Sequence, residues 1–160
     1  FTLQDDYSGK YYHGPFYKKS KISLKTSDIV IKKYTQKIKE DPKNWKHYFK
    51  LAFGYYFKEN KDMALLMFIK ANIIEPKQPW TIGFMSLLEG EKGNYKRAIE
   101  LAKQAIEIEP NSAALHFLLA EAYNKTGNLI GALGEGVHVI RLKSAEAKYR
   151  PVPPTFEDKE

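Results

Sequence analysis

Few residues in this chain could do covalent or acid–base chemistry. The four histidines, His13, His47, His116 and His138, are scattered and show no metal-ligand spacing. His116 falls at a core-type position and His138 on a helix, so both read as structural. There is no cysteine, which removes disulfides, thiolate metal sites and a cysteine nucleophile. Glu107 and Glu109 stand at a helix end before Pro110, an ordinary solvated place for carboxylates. No glycine-rich phosphate loop follows a strand, because no strand is expected. The residues that could carry function are instead aromatic. Phe, Trp and Tyr make up 14% of the chain and have the size and character of side chains that anchor a protein partner.

These residues sit on a repeated frame. One pattern is written three times with a period of 34 residues, ending at Pro76 and Pro110 in the first two copies, and Pro42 ends something similar before them. In copy one, Tyr48, Leu51, Ala52 and Tyr55 run at helical spacing. A break follows near Glu59-Asn60, and Ala64, Phe68 and Ala71 resume the spacing. Copy two matches with Ile82, Met85, Ser86 and Glu89, then Gly93, then Ala98, Ala102 and Ala105. Copy three matches with His116, Leu119, Ala120 and Tyr123, then Gly127, then Ala132, Gly136 and Val139. Each copy predicts two helices joined by a short polar turn. Gly93 and Gly127 suit a helix end that needs positive φ. The small residues let paired helices approach closely.

The pattern resembles the tetratricopeptide repeat (TPR) family over residues 45–146. Its departures are Glu89 where the family favours Tyr, Gly136 where it favours a larger residue, and Ser144 where it favours Pro. The resemblance implies an all-α fold, an antiparallel helix-pair solenoid of three TPR repeats at 45–78, 79–112 and 113–146. Ahead of them, residues 27–44 read as an N-terminal capping helix that starts at Asp28 after a Thr26 or Ser27 cap, with Val30, Ile31, Tyr34 and Ile38 on its apolar side. Residues 1–26 read as an extended aromatic and basic arm, and 147–160 as a Pro-rich tail.

In the family the first helix of each repeat lines a concave groove, and partners bind there. Carried over position by position, the groove holds Phe49, Phe53, Tyr56, Phe57, Trp80, Leu87 and Phe117. The positions with which chaperone-binding relatives hold a C-terminal carboxylate are here Phe49, Phe53, Phe84, Ala114 and Leu118. None can donate a side-chain hydrogen bond, which argues against capture of chaperone tails. An aromatic groove of this kind needs a filler: a partner peptide or helix, the chain's own arm or tail, or the rings themselves packed as core.

Three functions follow. The leading one is a non-enzymatic protein-interaction scaffold that binds a peptide or protein through the groove and supports a multiprotein assembly. The alternative is a structural subunit whose groove is filled by its own arm. Its contacts would be Tyr11, Tyr12, Phe16 and Tyr17 of the arm, the uncovered last helix with Leu133, Val137 and Ile140, and the tail. That last helix would end uncovered unless 145–149 folds back on it. The third is binding of nucleic acid or an acidic surface through the Lys-rich 18–43 segment with Tyr34 stacking. It ranks last because the +7 net charge is moderate and Arg is scarce. No cofactor or metal is called for, and no stretch approaches the length needed to cross a bilayer. A chain beginning at Phe1 reads as processed or a fragment, and processing leans towards export to a bacterial periplasm or cell envelope.

Overall fold

The computed structural model describes residues 21–144, and the arm residues Tyr11, Tyr12, Phe16 and Tyr17, like the tail, lie outside them. Among the described residues there are seven helices and no strand: α1 (Lys21–Glu40), α2 (Trp45–Phe57), α3 (Lys61–Ile74), α4 (Pro79–Glu91), α5 (Tyr95–Ile108), α6 (Ala113–Lys125) and α7 (Leu129–Ser144). They pack as antiparallel pairs, α2 with α3, α4 with α5 and α6 with α7, each pair stacked on the next. α1 lies against α2 and covers the open end of the first pair.

The 34-residue period is visible atom by atom in the turns. Among the described residues, those with positive φ are Glu59, Gly93 and Gly127, at 65°, 85° and 79°. The next residue closes the same bond in each copy: Asn60 N–H to the Tyr55 carbonyl (3.0 Å), Asn94 to Glu89 (2.8 Å) and Asn128 to Tyr123 (2.9 Å). This is the six-to-one bond that satisfies an orphan carbonyl at a helix end. The same asparagine then opens the next helix. Asn60 Oδ1 accepts from the Met63 amide and Asn128 Oδ1 from the Gly131 amide. Asn94 makes no such cap, because its amide donates to Glu89 Oε2 at 2.7 Å. The departure at Glu89 thus redirects the asparagine of that turn.

The small residues do what close approach requires. Ala52, Ser86, Ala64 and Ala98 are buried, and Ser86 Oγ donates to the Ala98 carbonyl across the second pair at 2.7 Å. A Cβ on Gly54 would stand 2.8 Å from Ile31 Cγ1, which fixes how closely α1 rests on α2.

The first helix differs from its expectation. It begins at Lys21, so residues 21–26 are helical rather than part of an extended arm, and Ser27 is a buried residue within the helix, not its cap. Between Lys21 and Ser27 no Gly or Pro interrupts the chain, so nothing local stops the helix from extending backwards.

Candidate functional site

The aromatic residues of α2 point into the molecule. Phe49 and Phe53 have no exposed surface. Phe53 meets Phe84 of α4 at 4.7 Å between ring centroids, Phe49 at 5.1 Å and Phe68 of α3 at 5.4 Å, all edge to face. Phe68 and Phe84 stack at 5.5 Å, and Trp45 sets its edge on Phe49. Edge-to-face and offset pairs of this kind each contribute about 0.5–1.5 kcal/mol beyond their burial. Three helices from two repeats are therefore joined by one ring cluster.

The other groove positions follow suit. Tyr56, Phe57, Trp80 and Leu87 are buried and Phe117 is partly buried. In this conformation Phe49 and Phe53 offer a partner no surface. The five positions that correspond to a carboxylate clamp, Phe49, Phe53, Phe84, Ala114 and Leu118, all lie in the core. Gly83 of α4 is buried too, and a Cβ there would meet Leu115 Cδ2 at 2.8 Å.

Further along the concave side the character changes. A cleft of about 370 Å³ opens between α4, α5 and α6, lined among others by Leu87, Gly90, Glu91, Glu121 and Lys125. Glu91 Oε1 accepts from the Tyr56 hydroxyl at 2.9 Å, and its other oxygen lies 3.5 Å from Lys61 Nζ. The mouth of the cleft carries both signs of charge.

Tyr34 is buried on α1, so it is not free to stack on a base as the nucleic-acid reading required. Burial pushes its hydroxyl pKa up despite the neighbouring Lys33 and Lys37. Burial and Lys33 lower the pKa of Lys50, whose ammonium lies 5.3 Å from the Tyr34 ring centre. Lys37 and Lys50 thus pack on the Tyr34 ring as well as carrying charge.

Two histidines that are distant in sequence come together. His116 and His138 stack with centroids 4.9 Å apart. His116 Nε2 donates to the Pro110 carbonyl at 2.8 Å, and its Nδ1 lies 2.5 Å from Glu135 Oε2. Both nitrogens are thus committed, and no group of three metal-binding side chains occurs among the described residues. The role is structural. One repeat-length pair earlier, Tyr48 donates its hydroxyl to the Pro42 carbonyl at 3.0 Å. His116 occupies the equivalent position 68 residues on and makes the equivalent bond.

Half of the exposed large apolar side chains among the described residues are on α7. Leu129, Ile130, Leu133, Val137 and Ile140 are 61–85% exposed, and Leu142 is the one buried residue of the helix. Around a helix these five fall within a stripe about 100° wide, the width that normally faces a core. Arg141 lies at its edge with Nη2 2.6 Å from His138 Nδ1. Among the described residues, no helix is long and apolar enough to cross a membrane.

Comparison with known proteins agrees with this architecture. Residues 91–133 match the family model for the tetratricopeptide repeat. A comparison with curated proteins gave no match. Among solved structures, one described as the crystal structure of MamA protein superposes with a TM-score of 0.71 at 17% identity, covering 93% of this chain and 81% of that one. A second MamA crystal structure gives 0.71 at 16% identity, over 91% and 96% of the two chains. A third, MamA MSR-1 C2, gives 0.67 at 18% identity, over 90% and 76%. Such identities carry the fold and not the role. The chain is an all-α helix-pair solenoid of the tetratricopeptide-repeat type.

Proposed function

We propose that this chain is a non-enzymatic protein-interaction scaffold, and that it serves as a structural subunit of an assembly which it contacts through α7. The observation that carries this reading is the contrast in exposure. The aromatic half of the concave side is buried, while the apolar stripe of α7 faces solvent. A contiguous apolar patch on an otherwise charged surface is the usual mark of a protein contact. Affinity isolation of the tagged chain from its native cells tests this. Leu133→Asp should lose the co-isolated proteins while the chain keeps its helical content and melting temperature.

A second reading has its own support. The cleft beside Leu87, Glu91, Glu121 and Lys125 is of a size that receives a peptide side chain or helix edge. A partner bound there would present both apolar and charged groups. Lys125→Glu should then abolish co-isolation and Leu133→Asp should not.

A further inference from the structure

The concave side is not covered evenly. By the 34-residue register its positions form three rows: Phe49, Gly83 and Phe117; Phe53, Leu87 and Glu121; Phe57, Glu91 and Lys125. In every row the α2 member is buried and the α6 member is more open, with Phe117 and Glu121 partly buried and Lys125 exposed. On α4, Gly83 and Leu87 are buried and Glu91 is partly so. Burial is therefore deepest at the end of the groove where α1 joins, and it fades towards α7.

α4 shows that this burial is more than helix against helix. From Trp80 to Leu88 every residue is buried, over about two and a half turns, so the helix is enclosed on all sides. Among the described residues its neighbours are α3, α5 and α6, with Phe49 and Phe53 of α2. In a stack of helix pairs these meet a helix on its flanks and its back, and the concave surface is left for a ligand. The enclosure exists in the single chain, so what lies on the groove side of α4 is part of that chain.

Two parts of the chain stand outside the described residues, 1–20 and 145–160, and they leave from opposite ends of the stack. The deep burial is at the end that residues 1–20 leave from. α1 runs antiparallel to α2, with Asp28 paired to Lys58 just past Phe57 and Tyr34 beside His47. Lys21 therefore lies beyond the Phe57 end of α2. Twenty residues reach at most about 70 Å, and neighbouring helices stand about 8–10 Å apart, so the length suffices even after a reversal at Gly14-Pro15. Composition points the same way. The segment carries Phe1, Tyr7, Tyr11, Tyr12, Phe16 and Tyr17, whereas 145–160 has only Tyr149 and Phe156. So many aromatic side chains on one short segment call for burial, and a groove lined by phenylalanine accepts them edge to face.

We propose that residues 1–20 lie in the concave groove over α2 and α4, as an intramolecular ligand whose aromatic side chains close over Phe49, Phe53 and Trp80. The groove is then filled from within at its α1 end, and the cleft beside Glu121 and Lys125 is the part left open. A peptide from another protein enters the filled half only by displacing this segment. The proposal is independent of what α7 contacts.

The chain has no cysteine, so Ser8→Cys puts a single nitroxide label into the segment of the full chain. Paramagnetic broadening is expected at the backbone amides of Gly83 and Leu87 and not at that of Val137 on α7. It should persist on dilution and be absent from unlabelled chains mixed with labelled ones. In the full chain, Tyr11→Ser, Tyr12→Ser and Phe16→Ser together should speed hydrogen exchange in α4 at least about tenfold and leave α7 unaltered. A label that leaves α2 and α4 sharp, or that broadens Val137 in their place, overturns the proposal. Broadening of the unlabelled chains overturns it too, since the groove would then hold the segment of another copy. Unchanged exchange in the triple variant also overturns it, because the helices alone would then account for the burial.

Discussion

α5 and α7 hold the same position in successive repeats and meet opposite fates. α5 turns Ala98, Leu101, Ala102 and Ala105 inward, and its outward residues are mostly charged. α7 buries Leu142 alone, half-buries Gly131, Ala132, Glu135, Gly136, His138 and Val139, and turns five large apolar residues to solvent. The inward register of the repeat is filled by small residues in both, with Ala98 matched by Ala132 and Ala102 by Gly136. What distinguishes them is the second face. On α5 that face is finished by α6, and on α7 among the described residues by nothing. A repeat helix thus carries two separate obligations, one to its own pair and one to whatever continues the stack. In the proposed reading, a partner meets the second obligation of α7.

The sharpest way to break this comparison is to cut into each side in turn. Phe53→Ala removes a ring that packs with those of Phe49, Phe57, Phe68 and Phe84 in a fully buried place. It should lower unfolding free energy by about 3–5 kcal/mol, read from urea denaturation. Leu133→Ala removes a side chain that is 73% exposed and should change stability in a dilute sample by less than about 0.5 kcal/mol. Equal losses would mean that α7 is covered within the chain. Glycines give a second pair. Gly83→Val drives a side chain into Leu115 and should cost about 1–3 kcal/mol. Gly134→Ala meets nothing and should gain up to about 1 kcal/mol from helix propensity.

The smallest effect separates the turns. Gly127 holds φ of 79°, and Gly127→Ala should cost about 1 kcal/mol. Glu59 sits at the same place in its repeat with φ of 65°, so Glu59→Gly should leave stability unchanged or raise it by up to about 1 kcal/mol. Thermal melts of the two variants, side by side, check both signs.

Much of the fold was readable because it is local. The period, the helix pairs and the positive-φ turns at Gly93 and Gly127 depend on residues a few places apart. The start of α1 was not readable, because Lys21 to Ser27 carries no breaker but several cap-type residues, Ser23, Thr26 and Ser27, and nothing local chooses among them. The ring cluster was harder for a different reason. The register places Phe49 and Phe53 on the groove side of α2, but their burial depends on Phe68 and Phe84 reaching them from two other helices. No spacing within α2 reports that. The stacking of His116 on His138 likewise requires α6 and α7 to be packed before the two positions become neighbours. The α7 stripe had a signal: Leu133, Val137 and Ile140 lie on one side of a helix, with prolines beyond it at Pro151, Pro153 and Pro154.

The central claim is that the aromatic half of the concave side is packed, leaving the outer face of α7 as the surface offered to others. Trp80 reports on it directly, since Trp45 is the one other tryptophan of the chain and stands at a groove-side ring cluster that phenylalanine can maintain. In a Trp45→Phe chain, the Trp80 emission should be blue-shifted and poorly quenched by acrylamide, as its 3% exposure requires. Emission at the wavelength of a solvated indole, quenched as readily in the folded chain as in urea, would show an open groove and contradict the account.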